Sequence, residues 1–501
     1  MPAFTNPVIP GFAPDPSVVR VGGDFFLVTS SFEFSPGVPV YHSTNLANWS
    51  IVGYCLRDDS LPLDGCRTSG GVYAPTIRYH RGIFYMTTTN THSGGNLIVH
   101  TDDVSAKWSD PVFVDVGGID PSLFFDGDKC YFISTAGLKG KPCRRGIHIC
   151  EIDPVTGVRL TDPVWISSGT GGRYPEGPHL YRFGDWYYLL LAEGGTAYGH
   201  AVTLQRSRDV YGPYEPCPTN PVLTHRDLEA SPIEGVGHAD LVEDQNGNLW
   251  AVCLGFRPVP GTMLHHLGRE TFLVPVKMQD GWLVFGENGH VPKTADAPLP
   301  ADPAARDLCV TEDFTAALSP EWNTVRGHDP ADFSVGDGVL TIRGRGSLSE
   351  ENGSPSFIGV RQRGFSVHAD VTLRAPEEGA TAGICAYYGS GYHYEAAVRR
   401  GADGLEISLR RRVHGMETET APVKVFPEFS DRVTLSVEAD AKEYTFIAHV
   451  GGVQIVLGRA KTCGLATEGT ETVTYTGVYI GLYAEKGDAE FEKAEIRFED
   501  E

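Results

Sequence analysis

Ala13-Pro14-Asp15-Pro16, Gly118-Ile119-Asp120-Pro121 and Tyr174-Pro175-Glu176-Gly177 each set one acidic residue in a turn bracketed by proline or glycine, beside a strand-forming stretch. Proline presets φ and removes a backbone donor, and glycine permits unusual dihedrals, so such turns aim a side chain in a fixed direction. That is how a chain positions carboxylates for chemistry. Tyr73-Ala74-Pro75-Thr76 and Gly237-His238-Ala239-Asp240 repeat the layout with other residues at the key place, which makes five related units.

Each key residue is followed by a short apolar stretch, a polar glycine turn and an aromatic-rich strand. The turns are Gly22-Gly23-Asp24, Arg81-Gly82, Asp126-Gly127-Asp128, Phe183-Gly184-Asp185 and Asn246-Gly247-Asn248. Each unit therefore reads as a β-hairpin whose turn lies on the far side from the key residue. Steps of 61, 44, 56 and 64 residues separate Asp15, Thr76, Asp120, Glu176 and Asp240. Such spacing is too long and uneven for a solenoid but suits propeller blades with variable loops. The expected architecture is a five-bladed β-propeller in which all five key positions converge on one central depression. A plain β-sandwich would leave the acid-in-turn repetition without a cause.

Composition agrees with an all-β chain, with 59 glycines and 34 prolines among 501 residues. No apolar run of about 18 residues predicts a membrane span. The first residues, Met1 to Asn6, carry neither a basic nor an apolar leader segment, which predicts a cytoplasmic protein. Ten cysteines show no C-x-x-C pair, so buried reduced thiols are expected rather than disulfides or a metal cluster. A net charge of −23 argues against nucleic acid and anionic membranes as partners and favours neutral or cationic ones.

Residues 294–305 are small, proline-rich and aperiodic, which marks a linker over 294–308 between a propeller of residues 1–293 and a second domain of residues 309–501. Beyond the linker, long strands alternate: Phe365, Val367, Ala369, Val371 and Leu373; Leu405, Ile407 and Leu409; Val433, Leu435 and Val437; Phe446, Ala448 and Val450. Half-buried strands of this kind build an antiparallel β-sandwich, of jelly-roll, lectin-like form. The acidic tail from Glu485 reads as the solvated face of a final strand, with Phe491, Ile496 and Phe498 as its apolar face. Without clustered exposed aromatics, the sandwich reads as a structural lid rather than a carbohydrate-binding module.

The sequence has no G-x-S-x-G elbow, no P-loop or dinucleotide pattern and no H-E-x-x-H. Histidines 200, 238, 265 and 266 are too scattered to read as zinc ligands. Carboxylates without a redox or phosphate motif point to glycoside hydrolysis, where one acid protonates the leaving oxygen and another activates water or attacks the sugar. A third acid nearby can keep the donor protonated through like-charge repulsion. The rival of another class is a silent propeller that only binds carbohydrate; retention of all three acids in their turns argues against it.

Gly11-Phe12-Ala13-Pro14-Asp15-Pro16-Ser17, Pro36-Gly37-Val38-Pro39-Val40-Tyr41-His42-Ser43, Gly118-Ile119-Asp120-Pro121-Ser122, Glu176-Gly177-Pro178-His179, Gly237-His238-Ala239-Asp240-Leu241-Val242 and Gly268-Arg269-Glu270-Thr271 closely resemble glycoside hydrolase family 43. The subgroup resembled holds β-xylosidases and α-L-arabinofuranosidases with a C-terminal β-sandwich. The resemblance implies a five-bladed propeller and hydrolysis with inversion. By position, Asp15 matches the general base, Glu176 the general acid, and Asp120 the residue that raises the acid's pKa and orients it. Arg269 matches an arginine of the substrate pocket and Phe32 an aromatic residue that closes it, while Tyr73 stands where relatives often carry tryptophan. His238 matches a channel histidine able to hold a calcium ion or a water. No cofactor is required by this chemistry, and a structural calcium at His238 is the one metal role the resemblance allows.

The expected activity is therefore an exo-acting, inverting β-D-xylosidase with α-L-arabinofuranosidase activity, acting on xylo-oligosaccharides or arabinoxylo-oligosaccharides. A dedicated α-L-arabinofuranosidase is the alternative within the class. Self-association into a homo-oligomer is compatible with either.

Overall fold

The structure is a computed structural model that describes residues 3–57, 60, 62–138, 141–296, 308–327, 329–425 and 431–499. Those residues form strands and short 3-10 turns, with no α-helix among them.

Five four-stranded antiparallel sheets occupy the first part of the chain, the fourth of them with one extra short strand. Their first strands are Ser17–Val21, Thr76–His80, Ile119–Asp126, Glu176–Phe183 and Glu234–Glu243, and each pairs with the strand next in sequence. The glycine turns fall between these two strands in every blade, for example between Val21 and Asp24 and between Phe183 and Trp186. Neighbouring blades share apolar clusters, such as Leu190, Val202, Val274 and Phe272 between the fourth and fifth. Full burial of one such side chain stabilises by roughly 1.5–3 kcal/mol.

The stretch read as the start of a linker instead opens with a strand. Thr294–Asp296 pairs antiparallel with Ala3–Thr5, joining the two ends of the propeller segment. Three residues at an edge need no hydrophobic periodicity, so sequence pattern could not reveal them. Of the remainder of the expected linker, residues 297–307 lie outside the described residues, and Leu308 already packs against the sandwich core.

Two stacked antiparallel sheets follow. The alternating positions point inward as expected: Val367, Ala369, Val371, Leu373, Ile407, Leu409, Val433, Leu435, Val437, Phe446 and Ala448 all belong to one buried core. The final strand, Gly487–Glu499, buries Phe491 as well as Ile496 and Phe498, which strict period-two alternation would put on opposite faces. A bulge resolves the parity, because Thr372 pairs with Lys493 whereas Leu373 pairs with Phe491.

The domains are stitched through the propeller's own loop. Phe34–Ser35 adds an edge strand to the sandwich sheet by pairing with Asn323–Val325. Phe34 stacks on Tyr479 at 4.1 Å, inside a cluster that combines Phe12 and Phe32 with Phe357, Tyr387, Tyr479 and Tyr483. The free thiols Cys55, Cys66, Cys130, Cys150, Cys217, Cys253 and Cys385 are buried.

Candidate active site

One cavity of about 300 Å³ opens on the propeller axis, and Asp15, Phe32, Tyr73, Asp120, Glu176, His238 and Arg269 all line it. Every catalytic or substrate-site residue singled out from the sequence is thus brought to one place. Asp15 and Asp120 sit at φ of +55° and +52°, a conformation uncommon outside glycine. The bracketing prolines and glycines hold that conformation and so aim both carboxyls at the axis.

Asp240 and Thr76 depart from the expected pattern. Asp240 is fully buried and lies outside the cavity, gripped by Arg78 through Nη1–Oδ2 at 2.8 Å and Nη2–Oδ1 at 3.0 Å. Thr76 donates its hydroxyl to the Pro121 carbonyl at 2.9 Å. In the fifth blade a register shift falls between Gly237 and Asp240, and His238 takes the positive φ, at +49°. The bulge therefore gives the cavity-facing place to His238 and carries Asp240 deeper along the axis.

The three carboxyls have different surroundings. Burial alone would push the Asp15 carboxyl up, but Arg269, His238 and Ser30 outweigh it and hold Asp15 below the ordinary carboxylate value. Ser30 donates to Oδ2 at 2.5 Å, Arg269 Nη1 donates to Oδ1 at 3.1 Å, and His238 Nδ1 stands 3.6 Å from Oδ1. Glu176 goes the other way. Burial, reinforced by the Asp15 charge, pushes it up to about 7 despite Arg145, whose Nη1 lies 3.5 Å from Oε2. Asp120 is also raised, through burial first and then the charges of Glu176 and Asp15, against a hydrogen bond from the Gly177 backbone. Burial, rather than repulsion from Asp120, is thus the chief cause of the high Glu176 value. Gly177 is required where it stands: at φ of +55°, a Cβ there would lie 2.9 Å from the His238 ring.

An aromatic wall closes one side of the cavity. Phe32 lies 5.1 Å from Tyr73 and 5.6 Å from Tyr475, ring centre to ring centre, and the Arg269 guanidinium sits over both Phe32 and Tyr475. Tyr475 comes from the sandwich domain, and its backbone N–H donates to Ser69 Oγ at 2.9 Å. Arg67, Arg145, Thr196 and His200 line the cavity as well. Thr196 accepts from Arg269 Nη1 at 2.8 Å, which fixes the arginine against Asp15. These five residues were not found from sequence. The Glu193-Gly194-Gly195-Thr196 stretch, with its paired glycines, was the one local signal that could have flagged Thr196.

Comparison with known proteins agrees with this geometry. The family model "Glycosyl hydrolases family 43" matches residues 4–283, and "Beta xylosidase C-terminal Concanavalin A-like domain" matches residues 311–499. The chain is 40% identical over 493 residues to a non-reducing end alpha-L-arabinofuranosidase of Bacteroides ovatus, covering 96% of this chain and 91% of the relative. It is 36% identical over 500 residues to a xylosidase/arabinosidase of Butyrivibrio fibrisolvens, covering 96% and 95%. The crystal structure of a xylan beta-1,4-xylosidase from Bacillus halodurans superposes with a TM-score of 0.91 at 31% identity, covering 99% of this chain and all of that one. The chain belongs to glycosyl hydrolase family 43 and is a glycoside hydrolase.

Proposed function

We propose that this family 43 glycoside hydrolase removes single terminal pentoses from short xylo- or arabinoxylo-oligosaccharides with inversion, as a β-D-xylosidase that also cleaves α-L-arabinofuranosides. The observation that carries the reading is the opposite bias of two carboxyls in one cavity. Asp15 is held ionised and Glu176 is pushed up to about 7, as a base and an acid working together must be.

In this reading Glu176 protonates the glycosidic oxygen as the bond breaks, while Asp15 takes a proton from the water that attacks the anomeric carbon from the opposite face. Ser30 and Arg269 fix the two oxygens of Asp15, so the base is already oriented. Asp120 borders the acid and shares its titration. The cavity is at the small end of small-molecule sites, which run roughly from 300 to 1,000 Å³. A pocket of that size walled by Phe32, Tyr73 and Tyr475 suits one sugar ring, and hence removal from a chain end.

A calcium at His238 does not fit the residues present. Calcium takes about six to eight oxygen ligands. His238 instead faces one Asp15 oxygen and the positive charge of Arg269, and deeper on the axis the Asp240 charge is already met by Arg78. The reaction as read here needs no metal.

Aryl β-D-xylosides and aryl α-L-arabinofuranosides, assayed side by side, test the substrate. Hydrolysis of the arabinofuranoside alone would favour a dedicated arabinofuranosidase, the second reading supported by the Bacteroides ovatus relative. Proton NMR of the first product tests the stereochemistry. A β-xyloside is expected to release α-xylose first; initial release of the β-anomer would remove Asp15 from the role of water-activating base.

Asp120→Asn is expected to lower kcat and move the alkaline limb of the pH–rate profile to lower pH. Asp120 and Glu176 are both raised, so the last proton of the pair leaves late, held by the neighbouring charge. With asparagine at 120 that charge is absent and Glu176 deprotonates earlier. A weakly active variant with an unchanged alkaline limb would mean that Asp120 acts through geometry alone.

A further inference from the structure

We infer that Glu193 is a positioning residue for the acid, its buried carboxylate being the template on which the glycine-rich segment 167–173, and through it the turn carrying Glu176, is folded. The inference rests on the assignment of Glu176 as general acid. Glu193 ends the strand Trp186–Glu193, is 2% exposed and does not line the cavity. Its Oε1 accepts from the Thr170 backbone N–H at 2.7 Å, the Thr170 hydroxyl at 3.1 Å and the Thr203 hydroxyl at 2.8 Å. Its Oε2 accepts from the Gly172 N–H at 2.8 Å.

The segment wraps this carboxylate so closely that side chains are excluded. A Cβ on Gly172 would lie 2.4 Å from Oε2, and one on Gly169 would lie 2.9 Å from both Oε1 and Pro175. Pro175 directly precedes Glu176. On its other side Glu193 leads into Gly194, whose N–H donates to the Arg173 carbonyl at 2.7 Å, and then to Thr196, which holds Arg269 against Asp15. The stretch 193–196 therefore ties the acid's turn to the base's arginine.

A buried charge is costly unless its hydrogen bonds are met, and an apolar residue could fill the same volume at a strand end without that demand. What an apolar residue could not do is accept from two backbone N–H groups of one loop. That requirement explains a carboxylate here, and it concerns the shape of the acid's loop rather than the core.

The test compares Glu193→Gln with Glu176→Gln on two glycosides of the preferred sugar, one with 2,4-dinitrophenol and one with a sugar alcohol as leaving group. Dinitrophenolate departs without protonation, whereas the alkoxide needs the acid. In Glu193→Gln the new amide N–H₂ faces N–H groups that the carboxylate bound, so the loop must shift. This variant is expected to lose about 10- to 100-fold in kcat on the poor leaving group and less than about threefold on dinitrophenol, part of the roughly 10²–10⁴ that general acid–base help supplies. Gly172→Ala, which keeps every charge but forces the loop off the carboxylate, is expected to show the same pattern and serves should the glutamine variant fail to fold. Equal losses on both substrates, or none, would overturn the positioning role of Glu193. Should Glu176→Gln itself lose equally on both, the acid assignment falls, and the role of Glu193 with it.

Discussion

Asp15→Asn and Glu176→Gln are each expected to retain no more than about a hundredth of the wild-type kcat, because general acid–base help supplies on the order of 10²–10⁴ in rate. The loss should be chemical rather than structural. Asparagine tolerates the positive φ of position 15 as readily as aspartate does, so the turn survives the change. Arg269 and Ser30 remain to fill the site, but an amide cannot take a proton from water. At 176 glutamine keeps the volume and the turn but has no proton to give. Steady-state kinetics together with thermal unfolding check this. Either variant retaining more than about a tenth of the activity while folded would strip that residue of its assigned role. The wild-type pH–rate profile carries the same logic. The acid limb should lie below the ordinary aspartate value, because Arg269 holds Asp15 ionised, and activity should decline as pH rises through about 7, where Glu176 loses its proton.

What the sequence displayed were the local requirements. Asp15, Asp120 and Glu176 were legible because an acid held in a fixed direction needs special turn chemistry, and prolines and glycines write that chemistry beside it. The blades were legible because each hairpin needs a glycine turn between two apolar strands, and the sandwich because half-buried strands alternate. Asp240 was misplaced for a reason of the same local kind: the first strands of the third and fifth blades shift register at the same point, and the residue that takes the positive φ there is Asp120 in one and His238 in the other, so the acid two places on, Asp240, falls outside the cavity. Tyr475 was illegible for a different reason. It reaches Phe32 and Arg269 because the sandwich docks on the propeller, through the strand Phe34–Ser35 and through backbone bonds such as Val478 N–H to the His266 carbonyl, and no feature near Tyr475 announces a contact with residues over 200 positions away. Arg67, Arg145 and His200 likewise acquire their roles from which loops meet at the cavity rather than from their own neighbours in sequence.

Asp240→Ala is expected to destabilise the propeller by about 3–5 kcal/mol, the typical cost of removing one partner from a buried ion pair. Asp240 is the knot of the axis. It accepts from Ser17 Oγ at 2.6 Å and the Val18 N–H at 3.0 Å in the first blade, from Arg78 in the second and from the Tyr181 hydroxyl in the fourth, while itself belonging to the fifth. Removing it leaves Arg78 with a charge buried beside His179, a side chain that has no negative charge to offer in either protonation state. An isolated buried pair can often be exchanged for apolar residues at little cost, but Asp240 also satisfies the Ser17, Val18 and Tyr181 donors. Asp240→Leu combined with Arg78→Met should therefore remain clearly destabilised, unlike a simple pair. The dependence on pH follows from the direction of the Asp240 shift. Burial would raise this carboxyl, but the Arg78 charge and the hydrogen bonds from Arg78 and Ser17 outweigh it and hold it far below the ordinary value. Its contribution is then fully present above the unfolded value of about 3.9 and is lost only as pH falls through the depressed folded one. The difference between wild type and Asp240→Ala should accordingly stay constant from about pH 5 to 8 in urea unfolding followed by tryptophan fluorescence. A loss below about 1 kcal/mol at neutral pH would mean that the blades are held by their apolar contacts alone and that the axial network is dispensable.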